Sequence, residues 1–315
     1  MNTPFQRSTR LFATLLLILL MLLTLVIPAV SAPVPDDDTG QSLRNRLLEH
    51  RSEEADMKAA LSKELLLAEQ GHSRNQADFD VQECQLLLDL NPASQILTGN
   101  VTTAVEVTGA AISTVELNLD TDMVVSSVTA GGVTSTFTHV SNMLTIDLDR
   151  TYTTGEIATV VVNYSGNPAG GAFGWSSYNG EHMIWTLSEP FGARSWWPCK
   201  DLNSDKVEAI DIIVTVPDNL VVASNGALLS DVDNGATRTF HWHSEYPIAT
   251  YLVSLAIYPY TVYSDWYTPL DGGDPMEVAF YVFPDHYDDV QVNYAKTVPM
   301  LDVFANGFGE YPFVN

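Results

Sequence analysis

The sequence predicts a mainly β protein, an antiparallel saddle or sandwich of sheets with a helical extension before it and a helix after it. Three observations lead there. From Phe79 to about Tyr263 the apolar residues recur with a period of two, in short runs bounded by Gly, Asn, Asp and Pro. No long helical pattern interrupts these runs, which excludes an alternating βαβ organisation. At both ends the period changes, to helix-forming composition over residues 41–70 and to helical spacing over residues 285–306.

In chain order, Arg7 and Arg10 precede an apolar run from Leu11 to Ile27 and then the small residues Pro28-Ala29-Val30-Ser31-Ala32. That order of charged, apolar and small regions predicts a signal peptide over 1–32. The alternative is an uncleaved membrane anchor, since about 20 apolar residues span a bilayer. Both imply export, so the expected location is secreted, periplasmic or extracellular. Residues 33–77 form a linker and helical extension: "PVPDDDTG" reads as linker, and Leu43, Leu47, Leu48, Ala55, Ala59 and Leu65 give a helical stripe suited to a pendant helix or pro-segment.

The β domain is expected over 78–264. Its runs include "FDVQECQLLLDL", "ILTGNVTTAVEVTG", "STVELNLD", "IATVVVNYSG", "VEAIDIIVTVP", "LVVASNGALL", "TRTFHWHSEYP" and "TYLVSLAIYPYTVY". Residues 265–315 begin something else. Val290, Tyr294, Val298, Leu301 and Phe304 mark a helix opening on an acidic first turn, with a kink expected at Pro299. A sequence that stops one helix into a new pattern reads as truncated.

The formal net charge of -25 excludes nucleic acid and anionic lipid as natural partners. Two cysteines, Cys84 and Cys199, are too few for a disulfide framework; in an exported protein they could form one disulfide, and the preferred reading is two buried thiols. Metal and nucleophile motifs are absent from the sequence. His241 and His243 flank Trp242, so on a strand they share a face, but without a third ligand they read as two polar rings. Gly170, Gly171 and Gly174 follow Pro168 without a helix start and read as a flexible connection. Ser195 has no partner histidine in sequence, and the sequons at Asn100 and Asn163 lie in or beside strands, where modification is not expected.

One stretch stands apart, "SEPFGARSWWPCKD" at 188–201. From Val81 onward the sequence holds six Lys or Arg residues, and three of them, Arg194, Lys200 and Lys206, fall in or just after it. Pro190 biases Glu189 toward an extended backbone, and a carboxylate fixed at a strand end can receive an ammonium group. Arg194 can clamp Asp201 or Asp205, or stack on Trp196 or Trp197. The residues alone leave two readings open, a structural knot and a binding site.

At this point the sequence resembles the aminopeptidase N (membrane alanyl aminopeptidase) family of zinc metallopeptidases, in the form of its secreted bacterial members. The family's N-terminal domain has Gln-x-Glu or Gln-x-Gln, then Ala-Arg, Pro-Cys, Asp and usually Lys. Here those positions read Leu187, Glu189, Ala193-Arg194, Pro198-Cys199, Asp201 and Lys206. Four more matches run in the same order: "FDVQECQLLLDLNPASQILTGNVT", "VVNYSGNP", "YPIATYLVSLAI" and "FGEYPF". The resemblance implies a saddle-shaped β domain leading into a thermolysin-like catalytic domain of the same polypeptide. There zinc, held by two His and a Glu, activates water beside a glutamate base.

The resemblance also implies that Glu189, with Leu187 and Gly192, forms part of the substrate site and binds the amino group of a peptide N-terminus. Arg194, Trp197, Cys199 and Asp201 would be its structural support. The family's G-x-M-E-N and H-E-x-x-H motifs are not in these 315 residues. No catalytic residue, zinc ligand or metal is therefore expected in this chain, zinc belonging to the complete enzyme, and the chain alone is expected to be inactive. Leu187 stands where the family usually has Gln, removing one polar contact. The rival expectations are a stand-alone β-sandwich binding module and a noncatalytic relative.

Overall fold

The computed structural model describes residues 73–168 and 171–313. The predicted signal or anchor, the linker and most of the helical extension lie outside the described residues. Those described belong to the second of two compact units, Glu69–Asn315. It is mainly β, as the alternation predicts.

The largest element is an eight-stranded sheet. β1 (Phe79–Asn91) and β2 (Ile96–Val107) form its central hairpin. β2 continues antiparallel to β8 (Ile157–Gly166), then come β4 (Val124–Ala130) and the short β5 (Val133–Thr134). On the other side of β1 lie β11 (Ala209–Pro217), β14 (Thr237–Ser244) and the edge strand β13 (Ala227–Asp233). One pairing departs from the antiparallel expectation: β1 and β11 run parallel, Leu86 opposite Ile212. Parallel neighbours need a crossover rather than a hairpin, and here most of the domain is that crossover.

Alternation fixes which face is inside. Leu86, Leu88 and Leu90 are buried, while Leu87 and Asp89 face outward. Over the inner face lie two smaller sheets. One has the order β3 (Ile112–Asn118), β7 (Met143–Tyr152), β6 (Phe137–Val140), and the other β12 (Val221–Ala223), β15 (Ala256–Tyr258), β10 (Glu181–Thr186), β9 (Phe173–Tyr178). Val101, Val160, Val162, Ile212 and Val214 join Leu117, Ile146, Ile184, Val222 and Ile257 in one hydrophobic core.

Two predicted runs are divided, and one predicted connection is a strand. "LVVASNGALL" gives β12 and β13 in different sheets, and the chain changes sheet at Gly226, with φ 88 and no room for a Cβ, which would fall 2.0 Å from the His243 carbonyl oxygen. "TYLVSLAIYPYTVY" gives a 3-10 turn (Thr250–Leu252), β15 and the start of the next hairpin. Gly174 is not in a flexible connection but in β9, opposite Trp185, whose ring would lie 2.2 Å from any Cβ there. The glycine is a packing requirement for the indole across the strand.

Beyond the three sheets, β16 (Thr261–Tyr267) pairs with β17 (Met276–Val282), so the predicted boundary at 264/265 falls inside β16. The expected kinked helix is two helices, α1 (Tyr287–Tyr294) and α2 (Thr297–Phe308). Pro299 lies in the first turn of α2, where a missing N–H costs nothing, and the break falls upstream at Ala295 and Lys296. Glu310, in "FGEYPF", ties this region to the hairpin by accepting from the Tyr267 hydroxyl at 2.7 Å and the Leu270 N–H at 2.6 Å. The bond to Glu310 pushes the Tyr267 hydroxyl up to about 12. Among the described residues no helix is long and apolar enough to cross a membrane.

Candidate substrate-anchoring site

β10 ends at Thr186, and the backbone that follows is held on both sides. The Thr186 hydroxyl accepts from the Leu255 N–H at 2.9 Å, and the Leu187 N–H donates to the Ala172 carbonyl at 2.8 Å. Leu187 and Glu189 are exposed while Ser188 between them is buried. The Glu189-Pro190 peptide is cis. The Gly192 N–H then donates to the Ser188 carbonyl at 2.7 Å, closing a tight turn, and a 3-10 turn (Ala193–Ser195) continues from it.

Gly192 is packed rather than open. A Cβ there would come within 2.6 Å of the Ala172 side chain and 3.1 Å of the Ser188 backbone. Beneath the turn, the Trp196 indole N–H donates to the Ser188 hydroxyl at 3.1 Å, and the Tyr164 hydroxyl donates to the Trp196 carbonyl at 2.8 Å. Trp197 is fully buried beside Trp196, their ring centroids 6.0 Å apart. Its indole N–H has no hydrogen-bond partner among the described residues, so it supports the turn by apolar contact alone.

The charged residues form the wall behind this turn. Arg194 Nε donates to Asp201 Oδ2 at 2.7 Å, the carboxylate being fully buried. Asp201 also accepts from the Thr250 hydroxyl at 3.0 Å, and its N–H donates to Asn118 Oδ1 at 3.1 Å. Cys199 pairs its backbone with Asn118 at 2.7 and 3.1 Å, bridging to the end of β3. Lys200 is buried in an ion pair with Asp205, donates to the Phe79 carbonyl at 2.6 Å and covers the Phe79 ring. Burial raises the Asp205 carboxyl although Lys200 opposes it.

Both cysteines are buried free thiols. Burial raises Cys84 to about 12 and Cys199 well above the ordinary thiol range, so neither is a ready thiolate for nucleophilic or metal chemistry. His241 and His243 do share a face, where both hydrogen-bond to Asp211 on β11. Among the described residues no group of three or more His, Cys, Asp or Glu is arranged to hold a metal ion. The Glu189 carboxylate is exposed and has no hydrogen bond or ion pair among the described residues.

Residues 79–252 match the model of the peptidase M1 N-terminal domain. The chain belongs to this family.

Among solved structures, the M1 zinc metallopeptidase from Deinococcus radiodurans matches with a TM-score of 0.66 and 25% identity. The match covers 75% of this chain and 55% of that one. A mutant of that enzyme bound to a Tyr-Ser-Ala substrate matches with 26% identity, a TM-score of 0.66 and the same coverage. The chain therefore spans about half the length of these solved relatives. No curated protein matches it. Of the residues singled out in and just before "SEPFGARSWWPCKD", Arg194, Trp197, Cys199 and Asp201 are buried or lie behind the turn, Gly192 is packed within it, and Leu187 and Glu189 face outward.

Sequence reasoning missed Asn118, Ser188, Tyr164 and Thr250, each of which holds the turn or its wall. Asn118 stands 83 residues from Asp201 and Thr250 stands 49 from it, and no periodicity or motif links residues so far apart. The one available signal is a polar residue at the inward end of an apolar strand, Asn118 closing "STVELN".

Proposed function

We propose that this chain is the N-terminal part of an exported zinc aminopeptidase, in which Glu189 anchors the free amino group of the peptide. The observation that carries the reading is the contrast at the turn: a carboxylate without a partner stands on a backbone fixed from both sides. An ammonium group supplies the missing partner through charge-assisted hydrogen bonds, which strengthen once a covering domain excludes water. Leu187 emerges on the same side, offering an apolar contact in place of the family's usual amide, and Gly192 allows the turn to close against Ala172.

Anchoring of the amine selects peptides by their free N-terminus and sets the scissile bond at a fixed distance from it. The zinc and general base would belong to a catalytic domain of the same polypeptide, where the metal would activate the attacking water. Among the described residues no group is arranged as its ligands, and the part proposed for them is orientation of the substrate. The expected division into a β domain (78–264) and the beginning of a catalytic domain (265–315) is kept, with the boundary moved ahead of β16 so that its hairpin with β17 stays whole.

Two experiments test the reading. The gene beyond Asn315 should continue in frame through G-x-M-E-N and H-E-x-x-H; a stop codon there favours a binding module. In the catalytically complete polypeptide, Glu189→Ala should raise KM for amino-acid anilides roughly tenfold or more, the loss of a charged hydrogen bond of about 1.5–3 kcal/mol. Unchanged KM and kcat would falsify the role.

A further inference from the structure

The turn that carries Glu189 is connected to a segment that precedes the whole β domain. Residues Asn75–Asp78 form a 3-10 turn immediately before β1. Its Gln76 is buried, 1% exposed, although it is polar and lies near the start of the described chain. Ser73 and Gln76 hold each other reciprocally: the Gln76 N–H donates to the Ser73 hydroxyl at 3.2 Å, and the Ser73 N–H donates to Gln76 Oε1 at 3.3 Å. Asn75 fastens the same turn to β3, donating to the Thr114 carbonyl at 2.8 Å and accepting from the Glu116 N–H at 2.9 Å.

The remaining Gln76 group points inward. Its Nε2 donates to Asn118 Oδ1 at 2.8 Å, the oxygen that also accepts the Asp201 N–H. A carbonyl oxygen has two lone pairs, so these two donors fill it. From Asp201 the connection continues through Arg194, whose 3-10 turn follows Gly192, and through the Ser195 N–H to the Gly192 carbonyl at 3.1 Å. Removing the Gln76 donor leaves a buried acceptor half satisfied and releases Asn118 to rotate away from Asp201.

We propose that Gln76 is a positioning residue for the amine anchor, coupling the segment before β1 to the Glu189 turn through Asn118, Asp201 and Arg194. This rests on the reading of Glu189 given above. Gln76 touches neither substrate nor the reacting atoms; it acts by limiting where the turn can sit. The same chain of bonds makes Ser73–Asp78 part of the site's support, not a spacer leading up to it.

A double-mutant cycle in the catalytically complete polypeptide tests this. Gln76→Leu keeps the bulk and removes the donor. KM for amino-acid anilides should rise roughly two- to tenfold, the size of one net hydrogen bond, with kcat nearly unchanged. In a Glu189→Ala background the same substitution should raise KM no further, because the group being positioned is gone. Ser73→Ala, which loosens the turn and leaves the buried amide in place, should shift KM in the same direction by less, and it decides the matter if Gln76→Leu does not fold. The proposal is overturned if folded Gln76→Leu, or Ser73→Ala in its place, leaves KM unchanged. It is also overturned if KM rises equally in both backgrounds, as general destabilisation would cause. Should Glu189→Ala itself leave KM unchanged, the anchor reading fails instead.

Discussion

The two halves of "SEPFGARSWWPCKD" treat charge in opposite ways. On the wall side, Arg194 and Lys200 meet buried carboxylates, and backbone or hydroxyl groups take up further positions around each pair. On the turn side, Glu189 is in solvent and unpartnered among the described residues. Buried charges left unpaired are expensive, so the wall must be complete in itself. An exposed carboxylate costs little to keep and stays available to a ligand. Four residues, Pro190 to Ala193, separate the exposed carboxylate of Glu189 from the first buried ion pair at Arg194.

The largest effect that separates the two halves comes from breaking the wall. Lys200→Met leaves Asp205 buried without its cation and should destabilise the fold by roughly 3–5 kcal/mol, read as a lower urea midpoint. Burial already raises the Asp205 carboxyl, and losing Lys200 raises it further. A carboxyl whose folded pKa lies above its unfolded value favours folding in its protonated form. The penalty of Lys200→Met should therefore be least in acid and grow as pH rises. Replacing both partners, Lys200→Met with Asp205→Leu, should recover most of the loss. Glu189→Ala is the counterpart on the turn side and should move stability by less than about 0.5 kcal/mol. If that variant melts as early as Lys200→Met, the separation of roles is wrong.

A second, smaller effect lies at the junction of the halves. Gly192→Ala inserts a methyl where the Ala172 side chain already sits, and overpacking of this kind costs roughly 1–3 kcal/mol. Because the turn itself must shift, KM for anilides, measured in the catalytically complete polypeptide of the proposed reading, should rise along with the loss in melting temperature. A fall in melting temperature with KM unchanged would assign Gly192 to packing alone.

Much of this was legible in the sequence, and what was not has a common cause. Alternation in "VQECQLLLDL" predicts the inward Leu86, Leu88 and Leu90 because a half-buried strand imposes that period. The same logic cannot tell that β11 lies parallel to β1, since a run of Ile and Val reads alike in either direction. It also misassigns Gly174, whose reason is an indole on the neighbouring strand. At the site, Glu189, Arg194 and Asp201 lie within one short stretch of sequence, so a local motif can point to them. Gln76, Asn118 and Thr250 are brought to them only by the fold, and their spacing carries no trace of the contact.

The smallest expected effect tests the same contrast on the open surface, far from the turn. Arg150 and Glu156 pair at 2.9 Å, and the Glu156 carboxylate also accepts from the Thr153 N–H and hydroxyl at 2.7 and 2.9 Å. The Arg150 bond first, then the two from Thr153, lower the Glu156 carboxyl to about 2. A carboxyl lowered on folding adds stability that is fully present above its unfolded pKa and disappears as pH falls through the folded value. Glu156→Gln should therefore weaken the fold slightly at neutral pH and lose that difference between about pH 4.5 and 2, measured as urea midpoints across that range. Added salt should shrink the neutral-pH difference, because the pair is exposed, while leaving the Lys200→Met penalty nearly intact. Equal salt sensitivity of the two would mean that the Lys200 and Asp205 pair is open to water after all, and the contrast between wall and surface would be lost.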